Sequence, residues 1–218
     1  MNDEDLELMK RRMHEASGRR ASKGKGTRAP ETSIEKVERD RDRQDSRAKG
    51  ARFENETAKK WSRWSGEHLR RTPQSGGWSN ARFGVTGDIV CDKKRFPFSI
   101  ECKAREGWAL DDLITGVRCD DERSVRQWWL QTLRQCPDGK TPLLVFKRNR
   151  GPVLVMMRSI DWQRIMLRQP AIGDYVPAIK TYVDDAEVVV LSQDLFHGHC
   201  EYNKSLRIGL KGRGDGYA

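Results

Sequence analysis

The sequence predicts an α/β fold, a single domain with a mixed central β-sheet flanked by helices. Segments with the apolar pattern of a helix or of a strand follow one another along the chain in the order helix, three strands, helix, two strands. Turn residues separate them. The 218 residues suffice for one compact domain with extensions, or at most two small domains. With 36% hydrophobic and 34% charged residues, a core can form only if part of the charge lies outside it. We therefore expect a core at residues 49–168, between extensions at residues 1–48 and 169–218.

The N-terminal extension is predicted to be disordered or only transiently helical. After Met13 it has almost no apolar periodicity, and it mixes acidic and basic residues densely. Such a segment cannot bury enough apolar surface to offset the conformational entropy that ordering would remove.

The first helix of the core is predicted at residues 51–64 and is expected to end at Gly66. Aromatic residues recur there at helical spacing, and we interpret them as core rather than as a platform for stacking DNA bases. Glu54 lies beside this stripe, which consists of Phe53, Thr57, Trp61 and Trp64.

A short strand at residues 68–71 leads into a loop at residues 72–80 that is rich in Gly, Ser and Pro. Arginine binds phosphate through paired hydrogen bonds, and glycine lets the backbone come close to a ligand. The segment is therefore a candidate binding site for DNA phosphates, and the alternative is an ordinary turn. The residues concerned are Arg70, Arg71, Ser75 and Gly76.

Residues 87–103 carry the clearest chemistry and are predicted to form two short strands joined as a hairpin. Alternation along the second strand places Glu101 and Lys103 on one face, while Phe98, Ile100 and Cys102 lie on the other. A half-buried strand seldom carries a carboxylate and an amine together unless they share a partner, because buried charge must be compensated.

Asp88, on the neighbouring strand, supplies a second carboxylate. Together with Glu101 and the main-chain carbonyl of Cys102 it would form an all-oxygen pocket that suits Mg²⁺ or Mn²⁺. Lys103 would then orient the attacking water or stabilise the transition state of phosphate hydrolysis. The alternative is a surface hairpin with an incidental Glu/Lys pair.

The remaining elements complete the predicted sheet. Ser124 is expected to cap a helix that runs to about Cys136, with Gln127 and Gln131 one turn apart on it. Strands are predicted at residues 142–147, 152–157 and 186–191, a turn at 148–151, and a helix at 160–167. Residues 204–218 form a basic, glycine-bearing tail.

The formal net charge of +10 suits a polyanionic partner, although a basic protein without a nucleic-acid role would have the same charge. The five cysteines show no Cys-x-x-Cys pairing, which is typical of reduced thiols. No apolar run approaches the roughly 20 residues of a membrane span, and the N-terminus lacks the apolar region of a secretory signal. We expect a cytoplasmic protein without a membrane partner.

Asp88 followed by Glu101-Cys102-Lys103 resembles the site motif of the PD-(D/E)xK nuclease superfamily. Further matches resemble the archaeal-type Holliday-junction resolvases, in which a Lys-Gly segment enters a helix with an early glutamate and an Arg-x-Pro-x-Ser-Gly loop follows. Residues 49–54 read KGARFE, and residues 71–76 read RTPQSG. The resemblance spans about residues 49–157.

This resemblance implies a restriction-endonuclease-like core and an Mg²⁺-dependent DNA endonuclease. It implies that Glu54 completes the acidic metal site, that Ser75 is catalytically important, and that a glutamine of the second helix, for which we choose Gln127, approaches the site. Its implied partners are branched DNA, most specifically a four-way junction, and a second subunit in a symmetric homodimer. The alternatives are a restriction-like or flap nuclease of the same superfamily, or a non-catalytic DNA-binding protein on the same fold.

Overall fold

The structure, a computed structural model, describes residues 33–72, 87–93, 96–110, 113, 124–169 and 176–202. The helices are α1 Ser33–Ser65, α2 Val125–Gln135, α3 Ser159–Met166 and α4 Gln193–His199. The strands are β1 Leu69–Arg71, β2 Ile89–Cys91, β3 Phe98–Ala104, β4 Thr141–Lys147, β5 Leu154–Arg158, β6 Ile179–Val183 and β7 Ala186–Ser192. The chain divides between Arg43 and Gln44 into two units, and the sheet belongs to the second.

The seven strands form one sheet in the order β1-β2-β3-β4-β5-β7-β6. Strands β3 and β4 run parallel, with Glu101 opposite Leu144, whereas the other neighbouring pairs are antiparallel. The predicted class, a mixed sheet flanked by helices, is confirmed. The hairpin predicted at residues 87–103 is also confirmed, as β2 and β3.

The two faces of the sheet carry separate apolar clusters. On one face Phe98, Ile100 and Cys102 of β3 pack with Phe53 and Trp61 of α1. On the other face the buried residues of α2 pack against β4, β5 and β7, and include Val125, Trp128, Trp129, Leu144, Phe146, Met156, Val188 and Val190. The predicted alternation along β3 is therefore confirmed, and Glu101 and Lys103 face the side on which α2 lies.

Helix α1 begins at Ser33, whereas the sequence predicted a first helix only from residue 51. The prediction relied on apolar periodicity, which detects only a helix with a packed face. Residues 33–50 are instead rich in Arg, Glu and Lys, which have high helix propensity, and they place opposite charges four apart, as in Lys36 and Asp40. The predicted end is confirmed, since α1 stops at Ser65 and Gly66 follows with φ of 65°.

Strand β6 and helix α4 were missed. The residues of β6 are mostly exposed, with Tyr182 62% accessible, so the strand has no alternating apolar face to detect. Helix α4 is only seven residues long, and Ser192 caps it by accepting from the Leu195 amide at 3.1 Å. Residues 73–80 of the predicted phosphate-binding loop and the basic tail lie outside the described residues.

Among the residues that the structure describes, no helix combines the length and the apolar composition needed to cross a membrane.

Candidate active site

Gly87 brings the start of β2 unusually close to β3. Its φ is +83°, and a Cβ placed on it would lie 2.7 Å from the carbonyl oxygen of Ile100. The Asp88 amide donates to that same oxygen at 2.9 Å, and the Thr72 hydroxyl donates to the Gly87 carbonyl at 2.9 Å. A residue with a side chain would meet both strain and a clash here, so glycine permits the approach that places Asp88 beside β3.

The Asp88 carboxylate is fixed by the backbone of β3. Its Oδ2 accepts a hydrogen bond from the Cys102 amide at 2.8 Å. Burial and then the neighbouring Glu101 carboxylate raise the pKa of Asp88 to about 7, and the Cys102 hydrogen bond and Lys103 offset only part of this rise. Two buried carboxylates so close together favour a bound proton or cation.

Glu101 is 5% exposed and has two partners on one oxygen. Its Oε1 accepts from Lys103 Nζ at 2.7 Å and from Gln131 Nε2 at 3.0 Å. The ammonium compensates the buried charge, and the amide fixes the orientation of the carboxylate. The structure therefore brings together Asp88, Glu101 and Lys103, which the sequence predicted to act as one site.

The glutamine that touches this site is Gln131 rather than the predicted Gln127. Both residues lie on the same side of α2 and line one cavity, but the Gln131 amide is the one that reaches Glu101. The four-residue spacing put both on one helix face, and only the position of α2 along β3 distinguishes them.

Two of the remaining predicted residues also meet here. Glu54 of α1 forms an ion pair with Arg71 of β1, and the Glu54 charge contributes to the raised pKa of Asp88. Arg70, by contrast, pairs with Asp92 at 3.2 Å on the exposed side of β1. Ser75 and Gly76 lie outside the described residues.

Cys102 contributes through its backbone. Its side chain belongs to the core, and burial raises the pKa of the thiol well above its usual value, so the thiolate form that a metal would bind is disfavoured. The predicted role of the Cys102 main-chain carbonyl as a metal ligand stays a prediction.

The donor set fits a hard cation with few protein ligands. Asp88 Oδ1 and Glu101 Oε2 have no hydrogen-bond partner in the described part of the chain. No three His, Cys, Asp or Glu side chains in the described ranges form a metal-binding group, and Asp88 and Glu101 are the pair of carboxylates that the structure brings together. Mg²⁺ is commonly bound by such a pair, because it keeps several of its waters. The predicted role of Glu54 as a further metal ligand stays a prediction.

A mixed sheet whose adjacent strands present Asp88, Glu101 and Lys103 defines the PD-(D/E)xK class of nucleases. The comparison with family models agrees. Residues 45–199, which are 155 of the 218 residues, match the family described as "Phage putative PDDEXK endonuclease". The chain belongs to this family and is a nuclease. No curated protein and no solved structure matches it.

Proposed function

We propose that the protein is an Mg²⁺-dependent DNA endonuclease that hydrolyses phosphodiester bonds in branched DNA, most specifically at a four-way junction. The proposal of phosphodiester hydrolysis rests on one observation, the pair of buried carboxylates of Asp88 and Glu101. The Lys103 ammonium donates a hydrogen bond to Glu101. A structural ion pair would need only one carboxylate, and the second raises the cost of burial.

Asp88 and Glu101 are the residues that would hold the metal. When bound, Mg²⁺ or Mn²⁺ would lower the pKa of a coordinated water and offset the charge that develops on the phosphate. The free oxygens of the two carboxylates and the raised pKa of Asp88 support this assignment.

Lys103 is proposed to stabilise the transition state electrostatically. Its ammonium lies 2.7 Å from Glu101 Oε1, so it would stand beside the attacked phosphate and stabilise the additional negative charge of the transition state. Gln131 donates to the same oxygen of Glu101, and the two hydrogen bonds together restrict the rotamers of this carboxylate.

Arg71 is proposed to contact DNA, and Glu54 holds its guanidinium in place before the DNA binds. The ion pair keeps the guanidinium next to the carboxylate site, and a scissile phosphate would replace Glu54 as its partner. The predicted phosphate-binding residues Ser75 and Gly76 follow Arg71 by four and five positions, and their proposed contact with phosphate rests on the sequence.

The junction specificity rests on the resemblance of residues 49–54 and 71–76 to the resolvase motifs. The contact between Glu54 and Arg71 supports it, because it joins one residue from each of these motifs. A four-way junction has approximate two-fold symmetry, so we propose a symmetric homodimer that brings one site to each of two opposing strands. A restriction-like enzyme that cuts linear duplex is the alternative.

A panel of labelled DNAs tests this function. Four-way junction, flap, linear duplex and single-stranded DNA are incubated with the protein in Mg²⁺ or in EDTA at matched salt concentration. We expect paired nicks in the junction, slower cleavage of linear duplex, and no cleavage in EDTA. Equal cleavage of junction and duplex, with a monomer in sedimentation at micromolar concentration, would replace the junction proposal by the restriction-like alternative.

A further inference from the structure

A cavity of about 840 Å³ opens directly beside Lys103. Three parts of the chain contribute cations to its wall, namely α1 with Lys49, the residue after β3 with Arg105, and α2 with Arg134. Gln131, which donates to Glu101, also lines it, so the cavity adjoins the candidate active site.

The charges in this cavity are poorly compensated. Lys49, Arg105 and Arg134 are exposed and form no ion pair within the described parts of the chain. Among the described residues of the wall Glu106 is the one acidic residue, and its Oε1 accepts from the Asn149 amide at 2.8 Å. Three cations against one carboxylate leave the cavity positive even when the charge of Lys103 is assigned to Glu101.

Three arginines elsewhere in the second unit have carboxylate partners. Arg70 pairs with Asp92, Arg71 with Glu54, and Arg126 with Asp184. The three cations of this wall have no such carboxylate partner among the described residues, and they share one concave surface, for which a polyanion is the complementary ligand.

The size of the cavity limits the form of that polyanion. A sphere of this volume has a diameter of ~12 Å, about the width of the major groove alone, so a whole duplex cannot enter. One strand advances about 3.4 Å per nucleotide, so the same space accommodates up to about three nucleotides of a single strand.

We propose that this cavity holds two or three successive phosphates of the cleaved strand, on one side of the scissile bond, with Lys49, Arg105 and Arg134 as their partners. The inference rests on the proposed function, because it takes the bond next to Lys103 to be a DNA phosphodiester. Gln127 and Asn149, which also line the cavity, are then positioning residues that contact the strand without taking part in the chemistry.

The first test measures the salt dependence of binding. Asp88→Asn serves as the uncleaving background, and Arg105→Gln and Arg134→Gln are added separately. Lys180→Gln is the matched control, because Lys180 is an exposed cation on the edge strand β6. The ligand is DNA with a single-stranded segment. Each cavity variant is expected to lower the slope of log K against log salt by about 0.7, and the control is expected to leave it unchanged.

The second test locates the contacted phosphates. In otherwise active protein, neutral methylphosphonate linkages are placed one at a time on both sides of the cut. Cleavage by the wild type should fall at two or three neighbouring positions on one side only. In Arg134→Gln the linkage at the partner position should cause little further loss, because the contact is already absent. Arg134→Lys, which keeps the charge, should recover most of the binding.

The results separate this inference from the proposed function. If the wild type cuts none of the DNAs, both proposals are overturned. The cavity assignment is wrong, and the nuclease assignment stands, if the wild type cuts DNA but the cavity variants have the same salt slope as Lys180→Gln. The same holds if the loss caused by each methylphosphonate linkage simply adds to the loss caused by Arg134→Gln.

Discussion

Replacing Gly87 by alanine tests whether the close approach of β2 to β3 builds the site. The new Cβ would lie 2.7 Å from the Ile100 carbonyl oxygen, which is the acceptor of the Asp88 amide. Either β3 must shift or the Asp88 hydrogen bond must lengthen. Both responses move Asp88 relative to Glu101, so stability and cleavage should fall together.

The magnitude follows from two separable costs. A non-glycine residue at φ near +80° costs about 1–2 kcal/mol. Loss of the Asp88 hydrogen bond adds about 0.5–1.5 kcal/mol, and displacement of the β3 backbone adds more. We expect Gly87→Ala to reduce the free energy of unfolding by about 2–4 kcal/mol. Gly139 is the matched control, because its φ is +74° and a Cβ there meets nothing within 4 Å. Gly139→Ala should cost only the first 1–2 kcal/mol.

Equilibrium urea unfolding measures both variants against the wild type, and cleavage is then assayed under conditions in which each is fully folded. Gly139→Ala should keep wild-type cleavage, whereas Gly87→Ala should lose most of it. Equal destabilisation by the two variants, or full cleavage by folded Gly87→Ala, would refute the claim that this contact positions Asp88.

Three further predictions concern the metal, the histidine and the N-terminus. Mg²⁺ or Mn²⁺ should support cleavage and Ca²⁺ should support binding without turnover, since the donors are oxygens; full activity in excess EDTA would contradict this. Burial lowers the pKa of His197 to about 4, so stability should fall as the pH drops from about 6.5 to 4, where the unfolded chain binds the proton first. The loss should reach about 3 kcal/mol in urea titrations across this range and vanish in His197→Phe, which keeps the ring stacked on Trp64. Deletion of residues 2–43 should leave a cooperatively folded, active second unit, and an insoluble product would show that the boundary at Gln44 is misplaced.

The part of the site that could be predicted from sequence is the part governed by strand alternation. The period of two along β3 puts Glu101 and Lys103 on one face, and the same period puts Ile100 in the core, as observed. The role of Gly87 depends on a tertiary approach between two strands, and no local pattern encodes that distance.

Helical positions were less predictable because periodicity identifies a face but not a position along the axis. Gln127 and Gln131 share the face of α2 that lines the cavity, and the packing of α2 on the sheet decides which one reaches Glu101. The charged start of α1 was missed for a related reason, since its sequence has no apolar period.

Cleavage of a labelled four-way junction in Mg²⁺ by the wild type and by Asp88→Asn, Glu101→Gln and Lys103→Ala tests the central claim most directly. The wild type should cut the junction. Each folded variant should bind it with nearly unchanged affinity and cut it at least about 100-fold more slowly, because these residues act on the transition state while the basic surface supplies affinity. Circular dichroism confirms folding first. Near-wild-type cleavage by any two of the folded variants would contradict the assignment of this site.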